Sequence, residues 1–422
     1  MNSMVDGRMK PTSISAGFVV TVLYLFFEYG RPQDHITVLR SLRPGLVLMA
    51  LLVVLLFNQR HRLHMVASPQ TSRMLALLAL FALHVPFALN NGRAYIATEA
   101  FLMYVVVFVS LIVFVDTLDR LRLLMKCWIL LMCYIAVNGI IGGGDAGSSF
   151  LQDENDFALL MNMMLPFSVF LFFYERKVML RLFYLVASLL CVASIVASFS
   201  RGGFVGLALV AIAVWLTSTR KIVLLGVAVA LILIILNLRI THVGTTVAGS
   251  TYWEEMTTIT DDGAQDYNKD SRVELWKSGW EMFMDHPLGV GPQNFSVVLP
   301  EYQTAYFGEK SMWGKAAHSI WFTLLPELGI PGVWLYFSLI LANVRDLRCL
   351  RGLLSGGEDI HRFAYFLSLA FITSLVGFFA SGTFLSVLYY PHYWYVVAMI
   401  VVTRKVVQRH AYPRAESALF RR

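Results

Sequence analysis

Long apolar runs dominate this 422-residue chain and limit what it can fold into. Residues 182–199 and 202–217 are two such runs without a charged residue, and Arg201 lies between them. A bilayer core about 30 Å thick requires roughly 20 apolar residues per crossing helix. Because 57% of the residues are hydrophobic and only 14% are charged, too few polar residues remain to cover a water-soluble fold. The sequence therefore predicts an all-α polytopic membrane protein.

The hydropathy pattern divides into twelve predicted transmembrane helices. They are expected at residues 13–29, 42–57, 74–90, 94–115, 121–141, 157–173, 180–199, 202–217, 221–240, 318–343, 361–381 and 383–403. The first run ends in "EYGRP" rather than in a small-residue cleavage pattern, so we expect a retained span and not a signal peptide. The four cysteines show neither the spacing of a disulfide framework nor that of a metal site.

A polar segment at residues 241–317 separates the ninth predicted helix from the tenth, and it contains eleven acidic residues. It is long enough to form an extramembrane domain. We therefore expect three parts. Residues 1–240 hold helices one to nine, residues 241–317 form one large, mainly helical loop domain, and residues 318–422 hold helices ten to twelve and the C-terminal tail.

The distribution of basic residues predicts the orientation. With the N-terminus inside, 23 of the 34 lysines and arginines lie on the inner side and 11 on the outer side. The positive-inside rule then places both termini in the cytoplasm and residues 241–317 outside. The net charge of +7 mostly reflects this asymmetry, so we expect contact with anionic membrane lipids and no nucleic-acid partner.

Arg201 lies at a break between two helices. A single helix over residues 182–217 would be about 54 Å long, far more than one crossing requires. The pattern therefore predicts two helices joined on the outer side by the turn "SRGG", with Gly202 and Gly203 supplying permissive backbone. Arg201 is then either an interfacial, snorkelling arginine or a guanidinium that binds a phosphate at the outer mouth of the bundle.

Arg272 belongs to a predicted helix in the outer segment. Ser271 and Glu274 form an S-x-x-E capping box, which predicts that the helix begins there and places Arg272 in its first turn. A cation is mildly unfavourable at that position unless an anion binds the free backbone N–H groups. An ordinary surface arginine is the other interpretation.

His318 opens the tenth predicted helix at the outer membrane boundary. Its small neighbours, Ala316, Ala317 and Ser319, leave room for a ligand. A helix N-terminus disfavours imidazolium, so His318 would be neutral and able to accept a proton. An interfacial capping histidine is the alternative, and spacing alone does not choose among His318 and the other outer histidines. Those are His35, His242 and His286.

A further outer turn precedes the sixth predicted helix. Asp153, Asn155 and Asp156 are most simply caps of that helix, although Asn155 would also reach a polar ligand. An acidic cluster at residues 260–266 lacks the spacing of a calcium loop, and no metal site is predicted.

In combination these motifs resemble the O-antigen ligase superfamily, which includes exosortase-associated O-glycosylation ligases and O-antigen polymerases. The resemblance rests on "SRGG", an arginine in the outer segment, "HPLGVGPQNF", and "HS" followed by "LPELGIPG". "DENDFALL" resembles the family's asparagine-containing turn, but Glu154 replaces the usual proline before Asn155. The resemblance covers roughly residues 150–335 well.

The resemblance implies a metal-independent, inverting, lipid-carrier-dependent glycosyltransferase with no cofactor. Such an enzyme transfers a glycan from undecaprenyl diphosphate to a sugar hydroxyl of lipid A core at the periplasmic face of the bacterial inner membrane. Arg201 and Arg272 would bind the diphosphate, and His318 would act on the acceptor. A polymerase or a protein O-oligosaccharyltransferase of the same superfamily remains open. A secondary transporter is a remoter alternative, since transporters usually carry charges at the bilayer midplane.

Overall fold

The computed structural model describes residues 15–142, 151, 153–218, 221–222, 226, 262–308, 311–353 and 358–411. Within these residues the regular elements are helices, and no strand occurs. The α-helices, numbered in chain order, are α1 (Ala16–Tyr29), α2 (Pro32–His35), α3 (Thr37–Leu42), α4 (Pro44–Asn58), α5 (Pro69–His84), α6 (Asn91–Phe114), α7 (Leu118–Ile141), α8 (Glu154–Tyr174), α9 (Val178–Ala197), α10 (Arg201–Thr217), α11 (Asp262–Asp285), α12 (Phe295–Tyr302), α13 (Ile320–Arg351), α14 (Asp359–Gly382) and α15 (Pro391–Ala411).

Six of the described helices, α6, α7, α8, α9, α13 and α14, are long and apolar enough to cross a membrane. The number rises to seven if α4 and the following 3₁₀ helix Arg60–Val66, bent by 96°, form one span. Two further apolar helices, α1 and α10, are shorter, and α1 extends only about 21 Å. The all-helical, polytopic class is therefore confirmed, whereas the number of twelve crossings stays a prediction. The ninth predicted helix, 221–240, lies almost entirely outside the described residues.

The last predicted helix, 383–403, is wrong at both ends. Helix α15 begins at Pro391, because proline fits the first turn of a helix and disrupts its interior. It continues to Ala411. Residues 383–390 form an irregular connection between α14 and α15 instead of helix, and this connection contributes to the candidate site described below.

Helix α8 lies at the centre of the bundle, where it packs against α9, α10 and α14. Two glycines on α10 permit this close packing. A Cβ atom added to Gly203 would lie 2.6 Å from the Ala158 Cβ, and one added to Gly206 would lie 2.3 Å from the Ser381 Oγ. Small residues at these positions let the helix backbones approach one another, as is common in membrane bundles.

The segment before α13 has a small hydrophobic core of its own, formed mainly by α11, α12 and the connections around them. Helix α11 begins at Asp262, so the predicted helix start at Ser271 is wrong. No glycine or proline occurs between residues 264 and 278, so nothing in the sequence stops the helix before the capping-box motif. Leu275 and Met282 are the buried apolar residues of this helix, whereas Trp280 is 50% exposed.

Cysteine labelling tests the predicted orientation. In a cysteine-free background, a membrane-impermeant maleimide should label Ser311→Cys in intact spheroplasts but Gly352→Cys only after permeabilisation. Both positions are exposed, so accessibility to the reagent depends on the side of the membrane. The background is necessary because the native Cys349 is itself exposed. The reverse labelling pattern would contradict cytoplasmic termini.

Candidate active site

Arg201 is the first residue of α10. The break before it consists of residues 198–200, in which Phe199 has a φ of 52° and the Ser200 hydroxyl accepts a hydrogen bond from the Gly203 N–H at 2.9 Å. The prediction of two helices is confirmed, but the predicted turn is wrong in detail, since Gly202 and Gly203 belong to α10. Ser200 caps the helix because its hydroxyl satisfies a free N–H of the first turn. The Arg201 side chain lies outside the described part of the structure.

Asn155 lies against this break. Its Oδ1 accepts a hydrogen bond from the Ser200 hydroxyl at 2.6 Å. Asp153 is the cap of α8, as predicted, because its carboxylate accepts the backbone N–H groups of Asn155 at 2.8 Å and Asp156 at 3.4 Å. The fold therefore brings Asn155 to the N-terminus of α10, whose first residue is Arg201.

His318 is exposed and immediately precedes Ser319, the cap of α13. Its backbone has a φ of 47°, and its N–H donates to the Ser386 Oγ at 2.9 Å. Although the residue is accessible, surrounding protein atoms displace water from the ring and lower the pKa of His318 below its ordinary value. The positive charges of Arg272 and Lys315 lower this pKa further, and the Asp153 carboxylate opposes them.

Arg272 is close enough to His318 to affect its charge, but it does not lie at a helix start. It is ten residues into α11, so the predicted combination of a guanidinium with free N–H groups at a helix N-terminus is wrong. The residue is exposed on α11, one turn before the buried Leu275. A guanidinium at this position has N–H donors of its own but gains nothing from a helix terminus.

A polar cavity of about 210 Å³ lies beside His318. Its lining includes Ala316, Ala317 and Ser386, which flank or contact the backbone of His318. Arg93 also lines it, donates to the Ser296 Oγ at 2.6 Å, and lies 5.3 Å from the centroid of the Trp313 ring. The cavity thus presents a cation, hydroxyl groups and an aromatic surface to a ligand.

Tyr390 connects this cavity to the N-terminus of α8. It lines the cavity, and its hydroxyl donates to the Asp156 Oδ2 at 2.6 Å. Asp156 was predicted as a cap, but its carboxylate is buried and binds Tyr390 instead. Asn155, the adjacent residue, bonds to Ser200 before α10, so Tyr390 and Ser200 contact consecutive residues of α8.

Two motifs interlock beneath this surface. In "HPLGVGP" and "LPELGIPG", the Val290 N–H donates to the Pro326 carbonyl at 2.9 Å and the Ile330 N–H to the Pro287 carbonyl at 2.8 Å. Gly329 has a φ of 60°, and a Cβ atom there would lie 2.3 Å from the Leu288 carbonyl carbon. The glycines of the first motif let it dock on the kink in α13.

Glu327 holds residues 293–295, which follow "HPLGVGP", in place. Its buried carboxyl group accepts the N–H groups of Gln293 and Phe295, both at 2.9 Å, and the hydroxyl of Tyr389. The same residue lines the cavity. A single side chain therefore holds the outer segment, α13 and the connection 383–390 together.

Glu327→Gln should loosen this arrangement. An amide has one acceptor oxygen and presents N–H donors to groups that are themselves donors, so we expect a loss of about 1–3 kcal/mol in the free energy of unfolding. Amide hydrogen exchange should accelerate at Gln293 and Phe295. Glu281→Gln is the matched control, since Glu281 is exposed on α11. Unchanged exchange at both amides would contradict the role given to Glu327.

Sequence reasoning did not identify Arg93, Glu327, Ser386, Tyr389 or Tyr390 as cavity residues. The available signal was Pro391, which marks the start of α15 and leaves the preceding tyrosines in a connection. Among the described residues, no group of three or more His, Cys, Asp or Glu side chains is arranged to hold a metal ion. The side chains of the acidic cluster 260–266 lie outside the described part.

The apolar helices define a multi-pass membrane protein with a polar site at one end of its bundle. Residues 186–337, about a third of the chain, match the family model described as O-antigen ligase, which supports membership of the O-antigen ligase superfamily. The match includes Arg201, Arg272 and His318 but not Asn155. No curated protein gives a significant match to the chain. The family indicates a ligase or polymerase type of function that uses lipid-linked polysaccharide and an acceptor.

Proposed function

We propose that this protein is an O-antigen ligase of the bacterial inner membrane. It transfers a glycan from undecaprenyl diphosphate to a sugar hydroxyl of lipid A core at the periplasmic face, with inversion at the anomeric carbon and without a metal ion. The observation that carries the proposal is the position of His318, which lies next to a polar cavity and close enough to Arg272 for the guanidinium to lower its pKa.

The donor diphosphate is assigned to Arg201 and Arg272. A guanidinium binds phosphate oxygens with a planar fork of N–H donors and stays charged at every physiological pH. Helix α10 begins at Arg201, so its partial positive charge adds to the attraction for an anion. Asn155 lies against this helix start and supplies an amide N–H₂ to the donor.

His318 is assigned the acceptor hydroxyl. Its imidazole accepts the hydroxyl proton while the oxygen forms a bond to the anomeric carbon. The bond between that carbon and the diphosphate oxygen breaks, and undecaprenyl diphosphate leaves with the bonding electrons. Because a diphosphate is already a good leaving group, one base and two charge-stabilising arginines are sufficient. The proton then passes from His318 to water.

A transfer assay with purified protein tests this proposal. The protein is incubated with undecaprenyl-diphosphate-linked glycan, either together with lipid A core or alone. A ligase produces glycosylated lipid A core and requires the acceptor. EDTA should leave the rate unchanged, whereas inhibition that a particular divalent ion reverses would contradict the metal-independent mechanism.

The products distinguish the alternatives. Longer carrier-linked glycan in the absence of lipid A core would identify a polymerase, and glycan attached to serine or threonine would identify a protein O-oligosaccharyltransferase. Uptake into vesicles without any transfer would favour a secondary transporter and would contradict the enzyme assignment.

A further inference from the structure

A basic cavity of about 330 Å³ lies at the other end of the bundle from His318, between the start of α7, the α8–α9 connection and the start of α14. Its lining contains five basic side chains and two acidic ones. They are Arg122, Lys126, Arg176, Lys177 and Arg362, with Glu175 and Asp359. The cavity shares no residue with the candidate active site. Its excess of positive charge indicates an anionic ligand.

Two arginines are held in fixed orientations in this cavity. Arg122 donates to the Asp359 carboxylate and, at 2.8 Å, to the Tyr174 hydroxyl, and its guanidinium lies 5.3 Å from the Phe363 ring centroid. Arg362 donates to the Tyr174 carbonyl oxygen at 2.6 Å. The Nε–H of Arg122 is buried and has no hydrogen-bond partner among the described residues. Both guanidinium groups are therefore oriented before a ligand binds.

The remaining basic side chains are not neutralised. Within the described residues, Lys126, Arg176 and Lys177 form no ion pair. Glu175, the nearest acidic residue in sequence, accepts the backbone N–H groups of Arg176 at 2.8 Å and Lys177 at 3.1 Å. Three cations beside a pre-oriented arginine pair match a phosphate group better than a carboxylate, because a phosphate offers more acceptor oxygens.

The surroundings of the cavity favour a lipid over a free ion. Helix α9 starts directly after the basic connection, and its first residues, Val178 and Met179, are apolar and 77% and 78% exposed. Leu182, one turn further on, is 53% exposed. Since α9 is long and apolar enough to cross the membrane, this surface provides contact for acyl chains next to the basic groups.

We propose that this cavity binds the phosphate group of an anionic phospholipid in the cytoplasmic leaflet. The positive-inside rule assigns this end of the bundle to the cytoplasm, where basic pockets between helices are suited to lipid head groups. Arg122 and Arg362 hold the phosphate, Lys126, Arg176 and Lys177 supply the surrounding charge, and the acyl chains lie along α9.

Native mass spectrometry of the detergent-purified protein tests this site with phosphatidylglycerol, phosphatidylcholine and inorganic phosphate as separate probes. We expect binding of phosphatidylglycerol in preference to phosphatidylcholine. The triple variant Lys126→Gln, Arg176→Gln, Lys177→Gln should retain phosphatidylglycerol at least about tenfold less well, since each cation near a lipid surface contributes a factor of several. The single variant Lys126→Gln, expected to lose roughly threefold, serves if the triple variant does not fold.

The matched control is a triple variant of exposed arginines at the same end but outside the cavity, Arg60→Gln, Arg345→Gln and Arg348→Gln. It should retain phosphatidylglycerol like the parent. An equal loss in both triple variants would show that lipid is held only by general surface charge and would overturn the proposal. Binding of inorganic phosphate without retained phospholipid would identify a free-anion site and overturn the lipid assignment.

Discussion

Glycan transfer should fall by about 10²–10⁴-fold when His318 is replaced by alanine, because that is the range a positioned general base contributes. Binding of the lipid-linked donor should survive, since the diphosphate is assigned to the arginines. The measurement is the rate of product formation together with donor binding by the same preparation. His286→Ala is the control: His286 is another exposed histidine of the outer segment and packs against Tyr302.

The pH dependence separates a base from a structural histidine. A base is active when it is deprotonated. The loss of water around the ring and the positive charge of Arg272 both lower the pKa of His318 below the ordinary value of 6.5. The rate should therefore stay high as the pH falls through 6.5 and decline only below it. Near-normal turnover of His318→Ala would remove this residue from the chemistry. Loss of donor binding would instead assign it to the diphosphate site.

Arg272→Lys and Arg201→Lys should each lower transfer by roughly 10²-fold, which is the scale of losing one preorganised donor to a developing negative charge. Lysine keeps the charge but not the planar fork, so these variants test the fork itself. Arg40→Lys is the control, because Arg40 lies on the predicted outer side in α3, away from the motifs of the site. If both lysine variants work like the parent, the arginines only anchor the protein at the membrane surface.

Apolar runs predicted the helices well because burial and bilayer contact both require them. They predicted boundaries poorly where a local signal competed with the pattern. Ser271 and Glu274 form a valid capping motif, but the nine residues before it are also compatible with helix, and α11 begins at Asp262. Pro391 was a usable signal that the hydropathy average concealed.

The candidate site was predictable only in part, because some of its residues lie in recognisable motifs and others do not. Arg201 and His318 were identified because a charged or polar group beside an apolar run is unusual, and Asn155 and Arg272 because they lie in helix-start motifs. Glu327 and Arg93 do not, since their roles depend on partners far away in sequence, such as Gln293 for Glu327 and Ser296 for Arg93. No spacing rule connects residues that only the packing of α6, α13 and the outer segment brings together.

The left-handed backbone of His318 offers a way to trap the proposed donor and acceptor on the protein. A side chain at a φ of 47° costs about 1–2 kcal/mol, and glycine would relieve that cost while gaining freedom in the unfolded chain. The two effects nearly offset one another, and the N–H that donates to Ser386 is kept. Under the proposed function, His318→Gly should thus give a protein as stable as the parent in which transfer is slowed as in His318→Ala, so that donor and acceptor stay bound together long enough to be trapped.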